Sequence, residues 1–181
     1  MPRTAAARAF TLVELLIVVT VLGIATALVI PSMGSVGVLR VQAAVRTVVS
    51  DLTQAQSEAL AYQRGRAITF DTAANSWSVI EVNGSELEPE TDTLWSMRLS
   101  GKDFGDSRLD TADFDGDSTV IFDEMGAPVE APLSTNSAAT GSIHVAGSGQ
   151  VFRITVEAYT GRVVVTNVTP DNADDDSGAG G

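Results

Sequence analysis

The stretch Arg8–Pro31 reads RAFTLVELLIVVTVLGIATALVIP and places one carboxylate, Glu14, in an otherwise apolar run. The run from Phe10 to Ile30 reaches the length of about 20 residues that a helix needs to cross a bilayer core. An unpaired charge in such a segment costs a few kcal/mol. The stretch therefore predicts a membrane-spanning helix, residues 10–30, whose acid requires a partner.

The residues before the apolar run set the orientation of the predicted span. They include Arg3 and Arg8 and no acid, which by the positive-inside rule keeps the N-terminus in the cytoplasm. The rest of the chain is then extracytoplasmic. A cleaved secretory signal is the alternative, with the small residues ATA at Ala25–Ala27 as its cleavage site, but it leaves Glu14 unexplained.

Composition limits the chemistry that the chain can carry out. The chain has 181 residues, a formal net charge of -12 and no cysteine. Such an acidic chain repels phosphate backbones, so nucleic-acid binding is disfavoured. The absence of cysteine excludes disulfides, thiolate catalysis and Cys-ligated metals.

Residues 31–64 form an amphipathic continuation of the helix. Apolar or small side chains recur at alternating steps of four and three, which predicts a helical stripe that covers a sheet. Gly65 is the predicted terminator. A dimeric coiled coil is the alternative, although there are barely three repeats. The stripe consists of Val41, Val45, Val48, Leu52, Ala55, Ala59 and Tyr62.

Residues 65–169 form a β-rich head. Seven runs contain β-branched and aromatic residues between turn residues, which indicates antiparallel strands. A long helix followed by strands predicts an α+β fold in which the sheet packs on the helix. The tail, residues 170–181, is acidic and has no large apolar residue, so we expect it to be disordered. The runs are Ala67–Thr72, Trp77–Val82, Leu94–Leu99, Ser118–Glu124, Ser142–Ala146, Val151–Ala158 and Arg162–Val168.

The sequence AFTLVELLIVV, which begins at Ala9, resembles the class III signal and N-terminal helix of type IV pilins and type II secretion pseudopilins. The resemblance implies that residues 1–9 are a leader, that prepilin peptidase cleaves between Ala9 and Phe10, and that the new amine of Phe10 is methylated. The family's acid and proline positions fall on Glu14 and Pro31. The residue before the cut is Ala9, where the family usually has glycine.

Three later blocks, DLTQAQSEALAYQRGRAITFD, VIFDEMGAP and FRITVEAYTGRVVV, resemble the H-type minor pseudopilins and the FimT-type minor pilins. This resemblance implies a helical spine with a β-sandwich-like, pilin-like head. It also implies a non-enzymatic subunit near the tip of the type II secretion pseudopilus, anchored in the inner membrane with a periplasmic domain. The partners implied are other pseudopilins or pilins and prepilin peptidase.

Two other functions stay open. The chain could be a minor pilin of a type IV pilus, for adhesion, motility or DNA uptake, or a membrane-anchored binding module that never polymerises. Some FimT-type relatives bind DNA through basic C-terminal surfaces, a role that the acidic tail of this chain disfavours.

The resemblance also gives Glu14 a role. When subunits pack helix against helix, Glu14 of one subunit can pair with the N-terminal amine of Phe10 on its neighbour and so fix the register. In the alternative, Glu14 only reaches to the lipid headgroups. The resemblance implies subunit assembly through Phe10, Glu14 and Pro31.

One cluster could bind a metal. Asp113, Asp115 and Asp117 alternate around Gly116 as hard oxygen ligands, and Glu124 stands at the twelfth position of an EF-hand-like spacing. This pattern suits Ca²⁺, although Glu124 falls in a predicted strand. The alternative is a solvated acidic turn.

No catalytic residue is predicted. The one histidine, His144, lies in a predicted strand, where a structural role is favoured. Trp77 and Trp95 are predicted to pack on the sheet.

Overall fold

The computed structural model describes residues 11–29 and 33–170. The chain divides into two compact units, Met1–Val36 and Gly37–Gly181. The first unit contains helix α1, Leu12–Val29, and the second contains most of helix α2, Met33–Tyr62, together with all the strands. The predicted passage of the helical spine through Pro31 lies outside the described residues.

Helix α2 buries the predicted stripe. Six of its seven members are at most 6% exposed, and Ala44 joins them in the core. The exception is Tyr62, which is 66% exposed at the last turn and lies under the guanidinium of Arg66, 5.8 Å from the ring centre. Gly65 is not the terminator. The helix ends at Tyr62 because Gln63 adopts a left-handed conformation (φ 53°), and the Arg64 N–H then closes back onto the Ala59 carbonyl.

In the described part of the chain, nine strands form two antiparallel sheets. Sheet A has the order β3-β2-β1-β5-β6 and sheet B the order β4-β7-β8-β9, and a short helix α3, Pro89–Asp92, precedes β3. The strands are β1 Arg66–Asp71, β2 Ser76–Glu81, β3 Thr93–Arg98, β4 Arg108–Asp113, β5 Thr119–Phe122, β6 Pro128–Val129, β7 Gly141–Gly147, β8 Gln150–Val156 and β9 Val163–Asn167.

Each of the seven predicted strands overlaps an observed one, but strands β4 and β6 were missed. Strand β4 reads RLDTAD, and its polar, partly charged composition resembles a loop. Strand β6 has two residues and exists because Ile121 and Phe122 of β5 pair with it. Pairing of this kind is a tertiary effect that no local pattern encodes.

The core lies between helix α2 and both sheets. In strand β1, Ile68 and Phe70 face the helix with Leu52, whereas Ala67 points to the opposite face and packs with Ile80. Sheet B completes the main core through buried residues such as Ile143 and Ile154. A helix packed on antiparallel sheets confirms the predicted α+β class, and both tryptophans pack as predicted, with Trp77 buried and Trp95 against the core.

Candidate functional site

Helix α1 is apolar on every side apart from Glu14 in its first turn. All its described side chains up to Thr26 are exposed, including ten large aliphatic residues between Leu12 and Ile24. A helix that is hydrophobic all round belongs to an apolar environment or to a protein interior. Over residues 11–29 and 33–170, no helix combines the length and the apolarity needed to cross a membrane.

The hydroxyl groups of helix α1 are satisfied inside the helix. The Thr20 hydroxyl lies 2.8 Å from the Ile17 carbonyl and 3.0 Å from the Leu16 carbonyl, and the Thr26 hydroxyl donates to the Leu22 carbonyl at 2.7 Å. Such back-bonding lets a threonine enter an apolar medium without an unpaired donor. Glu14 is the one charged residue of helix α1. Its carboxylate is therefore the polar side-chain group of the helix for which these internal bonds provide no partner.

Glu14 occupies the first turn of helix α1. Thr11 precedes the helix, and its hydroxyl accepts a hydrogen bond from the Glu14 N–H at 3.2 Å. Thr-Leu-Val-Glu over residues 11–14 has the spacing of a capping box, in which the threonine caps the helix and the acid lies at the third position. A negative charge there also interacts favourably with the helix dipole. Sequence reasoning had missed this local role, although the spacing was visible.

The other predicted assembly and processing residues lie outside the described part of the chain. These are Ala9, Phe10 and Pro31. Cleavage, methylation and pairing of Glu14 with a neighbouring amine therefore remain predictions.

The predicted calcium ligands are not brought together. Among the described residues, no group of three or more histidine or acidic side chains is placed to hold a metal ion. Glu124 is not in a strand, because β5 ends at Phe122 and Glu124 sits in the turn that Gly126 closes back onto the Asp123 carbonyl. The fourth ligand thus belongs to a different turn from the three aspartates.

The three aspartates form a hairpin corner, the acidic turn Asp113–Asp117. Asp115 and Gly116 both have positive φ (60° and 86°), as a tight two-residue turn between Phe114 and Asp117 requires. The Asp113 carboxylate accepts the Gly116 N–H at 2.9 Å. The turn takes the chain from β4 in sheet B to β5 in sheet A, which gives these residues a structural role.

His144 is satisfied on both ring nitrogens. Arg153 Nε donates to Nε2 at 2.9 Å, so Nδ1 carries the proton and donates to the Thr111 hydroxyl at 2.6 Å. The three side chains lie on strands β4, β7 and β8 of sheet B. The structural role predicted for His144 agrees with this network.

A buried acid, Asp51, joins the spine helix to sheet A. Its Oδ2 accepts a hydrogen bond from Trp77 Nε1 at 2.7 Å, and the residues are 9% and 1% exposed. Burial raises the pKa of the Asp51 carboxyl, and hydrogen bonds from the indoles of Trp77 and Trp95 partly oppose the rise. Asp51 is not a member of the predicted apolar stripe.

Gln56 joins the three sequence blocks that carried the H-type resemblance. Its side-chain amide donates to the Gly126 carbonyl at 2.8 Å and to the Thr160 carbonyl at 3.0 Å. Gly126 and Gly161 have positive φ (74° and 63°), and a Cβ at Gly161 would collide with Gln56 Nε2. We call this arrangement the Gln56 junction. Its two hydrogen bonds connect helix α2 to the turns after β5 and β8.

Comparisons with known proteins give two family models that match this chain. A family model described as "Type II transport protein GspH" matches residues 44–169, more than half of the chain, and one described as "Prokaryotic N-terminal methylation motif" matches residues 4–30. A comparison with curated protein sequences gives no match.

Two solved structures are similar. The minor pseudopilin EpsH from the Type 2 Secretion System of Vibrio cholerae has a TM-score of 0.49 and 10% identity, over 71% of this chain and 97% of that one. The type IV minor pilin FimU of Pseudomonas aeruginosa has a TM-score of 0.48 and 17% identity, over 69% of this chain and 91% of that one.

Proposed function

Because the chain belongs to the GspH family of type II transport proteins, we propose that it is a minor pseudopilin, a structural subunit of the type II secretion pseudopilus that supports protein export across the outer membrane. The observation that carries the proposal is helix α1, whose large aliphatic side chains from Leu12 to Ile24 are exposed and which contains a single acid, Glu14. The role is assembly, without catalysis. The anchor lies in the inner membrane and the head in the periplasm.

The exposed aliphatic surface of helix α1 requires a second environment. Burying one Leu, Ile or Val side chain contributes about 1.5–3 kcal/mol, and ten such residues are exposed between Leu12 and Ile24. A lipid bilayer before assembly and a bundle of subunit helices after it both satisfy this requirement. The proposal therefore assigns the two environments to successive stages of one subunit.

Glu14 is proposed to act in the second stage, when the subunit leaves the bilayer and enters the bundle. In a helical bundle its carboxylate pairs with the N-terminal amine of Phe10 on a neighbouring subunit, which offsets the cost of burying either charge. Its position in the Thr11 capping box accommodates either a carboxylate or an amide, because glutamine also serves at that position, and the helix dipole favours the carboxylate by only about 0.3–1 kcal/mol. Only intermolecular pairing requires the negative charge.

Three variants separate these two roles. Glu14→Gln keeps the capping box and removes the charge, Glu14→Ala removes both, and Thr11→Ala removes the cap and keeps the charge. We expect all three to insert into the membrane, and only Thr11→Ala to be recovered with sheared fibres at close to the wild-type level. Wild-type recovery of Glu14→Gln in fibres would refute the pairing.

Processing provides a second test. We expect mass spectrometry of the native protein to find a chain that begins with methylated Phe10, after removal of residues 1–9. Ala9→Gly restores the residue usual in the family and is the control for cleavage efficiency. An N-terminus that still begins at Met1 in cells with active prepilin peptidase would contradict the proposal and favour a non-polymerising membrane-anchored module.

The type of fibre is tested by deletion and complementation. Loss of this chain should reduce export of folded proteins into the medium, and the full chain should restore export. Loss of surface pili, adhesion or DNA uptake with unchanged export would favour a type IV pilus instead. Copurification with other pseudopilins or pilins, lost in Glu14→Gln, identifies the partners.

A further inference from the structure

Within the described residues, strand β9 lies at an open edge of sheet B and lacks the features that usually protect such an edge. Strand β4, at the opposite edge, carries Arg108, Asp110 and Asp113 and has a bulge in its ladder with β7. In sheet A, edge strand β3 contains Arg98 and pairs with β2 through a bulge, and β6 has only two residues. Strand β9 reads VVVTN, without charge, proline or a shift in its ladder. Charges, bulges and short length are the usual protection against strand addition.

The backbone groups on the open side of β9 can be identified from the pairing. Val168 N–H donates to the Val151 carbonyl, and Glu157 N–H donates to the Arg162 carbonyl. Because bonding alternates along an antiparallel strand, even-numbered residues of this segment bond to β8. The N–H and carbonyl groups that face the open edge are those of Val163, Val165 and Asn167.

An apolar groove runs beside the same edge. It has a volume of about 600 Å³ and lies between helix α2 and strands β8 and β9, with Val45, Val49, Phe152 and Val165 in its wall. Val165 is opposite the buried Ile154 in the ladder, so its side chain faces the helix, yet it is 44% exposed. Val165 thus presents its backbone groups to the edge and its side chain to the groove.

One cation lines the groove. Arg46 of helix α2 is exposed and takes part in none of the ion pairs found among the described residues. A carboxylate in the groove would be attracted to it. The chain's own residues 171–181 are acidic but contain no apolar side chain larger than alanine, so they cannot fill the groove.

We propose that strand β9 and this groove bind an extended segment of a partner protein by strand addition. The segment hydrogen-bonds to Val163, Val165 and Asn167, its aliphatic side chains at alternate positions enter the groove, and an Asp or Glu among them pairs with Arg46. Main-chain bonds supply affinity and the alternate side chains supply specificity. The inference rests on sheet B and helix α2 and is independent of the function proposed for helix α1.

The test uses the full chain in detergent micelles and a synthetic peptide in which Val and Ser alternate, with a central Glu on the Val face. We expect saturating peptide to slow amide exchange at Val163, Val165 and Asn167 by about tenfold or more, because each N–H gains a hydrogen bond. Replacing the Glu by Lys should weaken binding about two- to fivefold, as for an exposed ion pair. Arg46→Glu should reverse that preference.

Two lysine substitutions on opposite faces of β9 provide a variant and its matched control. Val165→Lys places a charge on the groove face of β9, whereas Val164→Lys places it on the opposite face of the same strand. We expect the first to weaken peptide binding at least about tenfold and the second less than about twofold. Equal binding by both variants, or protection of amides outside β9, would overturn the proposal. Protection of the β9 amides without peptide, dependent on protein concentration, would also overturn it, since a second copy would then be the occupant.

Discussion

Replacing Asp51 by Asn and by Ala tests the buried hydrogen bond between helix α2 and sheet A. Asp51 Oδ2 lies 2.7 Å from Trp77 Nε1, and both residues are buried. Asparagine offers the same acceptor without the charge, whereas alanine offers none. The two substitutions therefore separate the contribution of the bond from the cost of the buried charge.

The expected magnitudes differ for the two variants. In Asp51→Ala the buried Trp77 N–H loses its partner, which lowers the free energy of unfolding by about 1–3 kcal/mol. The better helix propensity of alanine raises it by about 0.5 kcal/mol. The net loss in the free energy of unfolding is about 0.5–2.5 kcal/mol. Asp51→Asn leaves no unpaired donor and removes a desolvated charge, so we expect stability within about 0.5 kcal/mol of wild type at pH 7, or above it.

The pH dependence of stability follows from the direction in which the pKa of Asp51 is shifted. Burial raises the pKa of Asp51 in the folded state above its unfolded value of about 4, so over the interval between the two values the folded protein binds more protons than the unfolded one. Wild-type stability relative to Asp51→Asn should therefore be greatest below the unfolded pKa and should fall as the pH rises through the folded pKa. Above that pKa the difference becomes constant.

The assay is urea unfolding of the full chain in micelles, followed by tryptophan fluorescence at about pH 3.5, 5 and 7. Ser50→Ala, one residue earlier and exposed, is the control for changes in helix propensity. Equal destabilisation by Asn and Ala would show that the bond to Trp77 does not stabilise the fold. A pH profile of Asp51→Asn parallel to that of wild type would show that Asp51 titrates normally.

Further predictions concern the turns. Gln56→Ala should lower the free energy of unfolding by about 1–3 kcal/mol, because two hydrogen bonds are lost. Gly161→Ala should lower the free energy of unfolding by at least about 2 kcal/mol, because the positive φ and the contact with Gln56 both disfavour a Cβ. Gly149→Ala is the control, with a similar φ and open space around the Cβ, and should lower it by about 1 kcal/mol. Equal losses in the two variants would show that the contact with Gln56 does not matter. Millimolar Ca²⁺ should leave the melting temperature unchanged, and a rise abolished by Asp115→Asn would restore the acidic turn as a calcium site.

The helices and strands could be predicted where their side chains repeat with a regular spacing along the sequence. The stripe from Val41 to Ala59 forms one face of a helix because its spacing repeats over several turns, and the structure buries it. Strands with alternating β-branched residues were likewise identified to within a few residues. Strand β4 was missed because its side chains face solvent on one side and its stability comes from pairing with β7.

The candidate sites were harder to predict because they depend on distant pairs. Asp51 lies three residues after Val48 and four before Ala55, so it borders the buried stripe, but its burial is favourable only because Trp77 supplies a donor from strand β2. The acidic turn has a spacing that fits a calcium loop, but spacing alone does not say whether Glu124 reaches the aspartates. In the structure Glu124 lies in a second turn, which the Gly126 N–H closes onto the Asp123 carbonyl.

Two acids of the helical spine, Glu14 and Asp51, show how the burial of a carboxylate depends on its partner. Asp51 enters the core and is satisfied there by Trp77 of the same chain. Glu14 stands in an apolar helix whose threonine hydroxyls are already satisfied, and within residues 11–29 and 33–170 its carboxylate takes part in no ion pair. A carboxylate that enters an apolar medium must be neutralised or paired. If helix α1 packs among other helices, the partner of Glu14 has to come from another subunit, and this requirement makes the charge, rather than the capping geometry, the property to test.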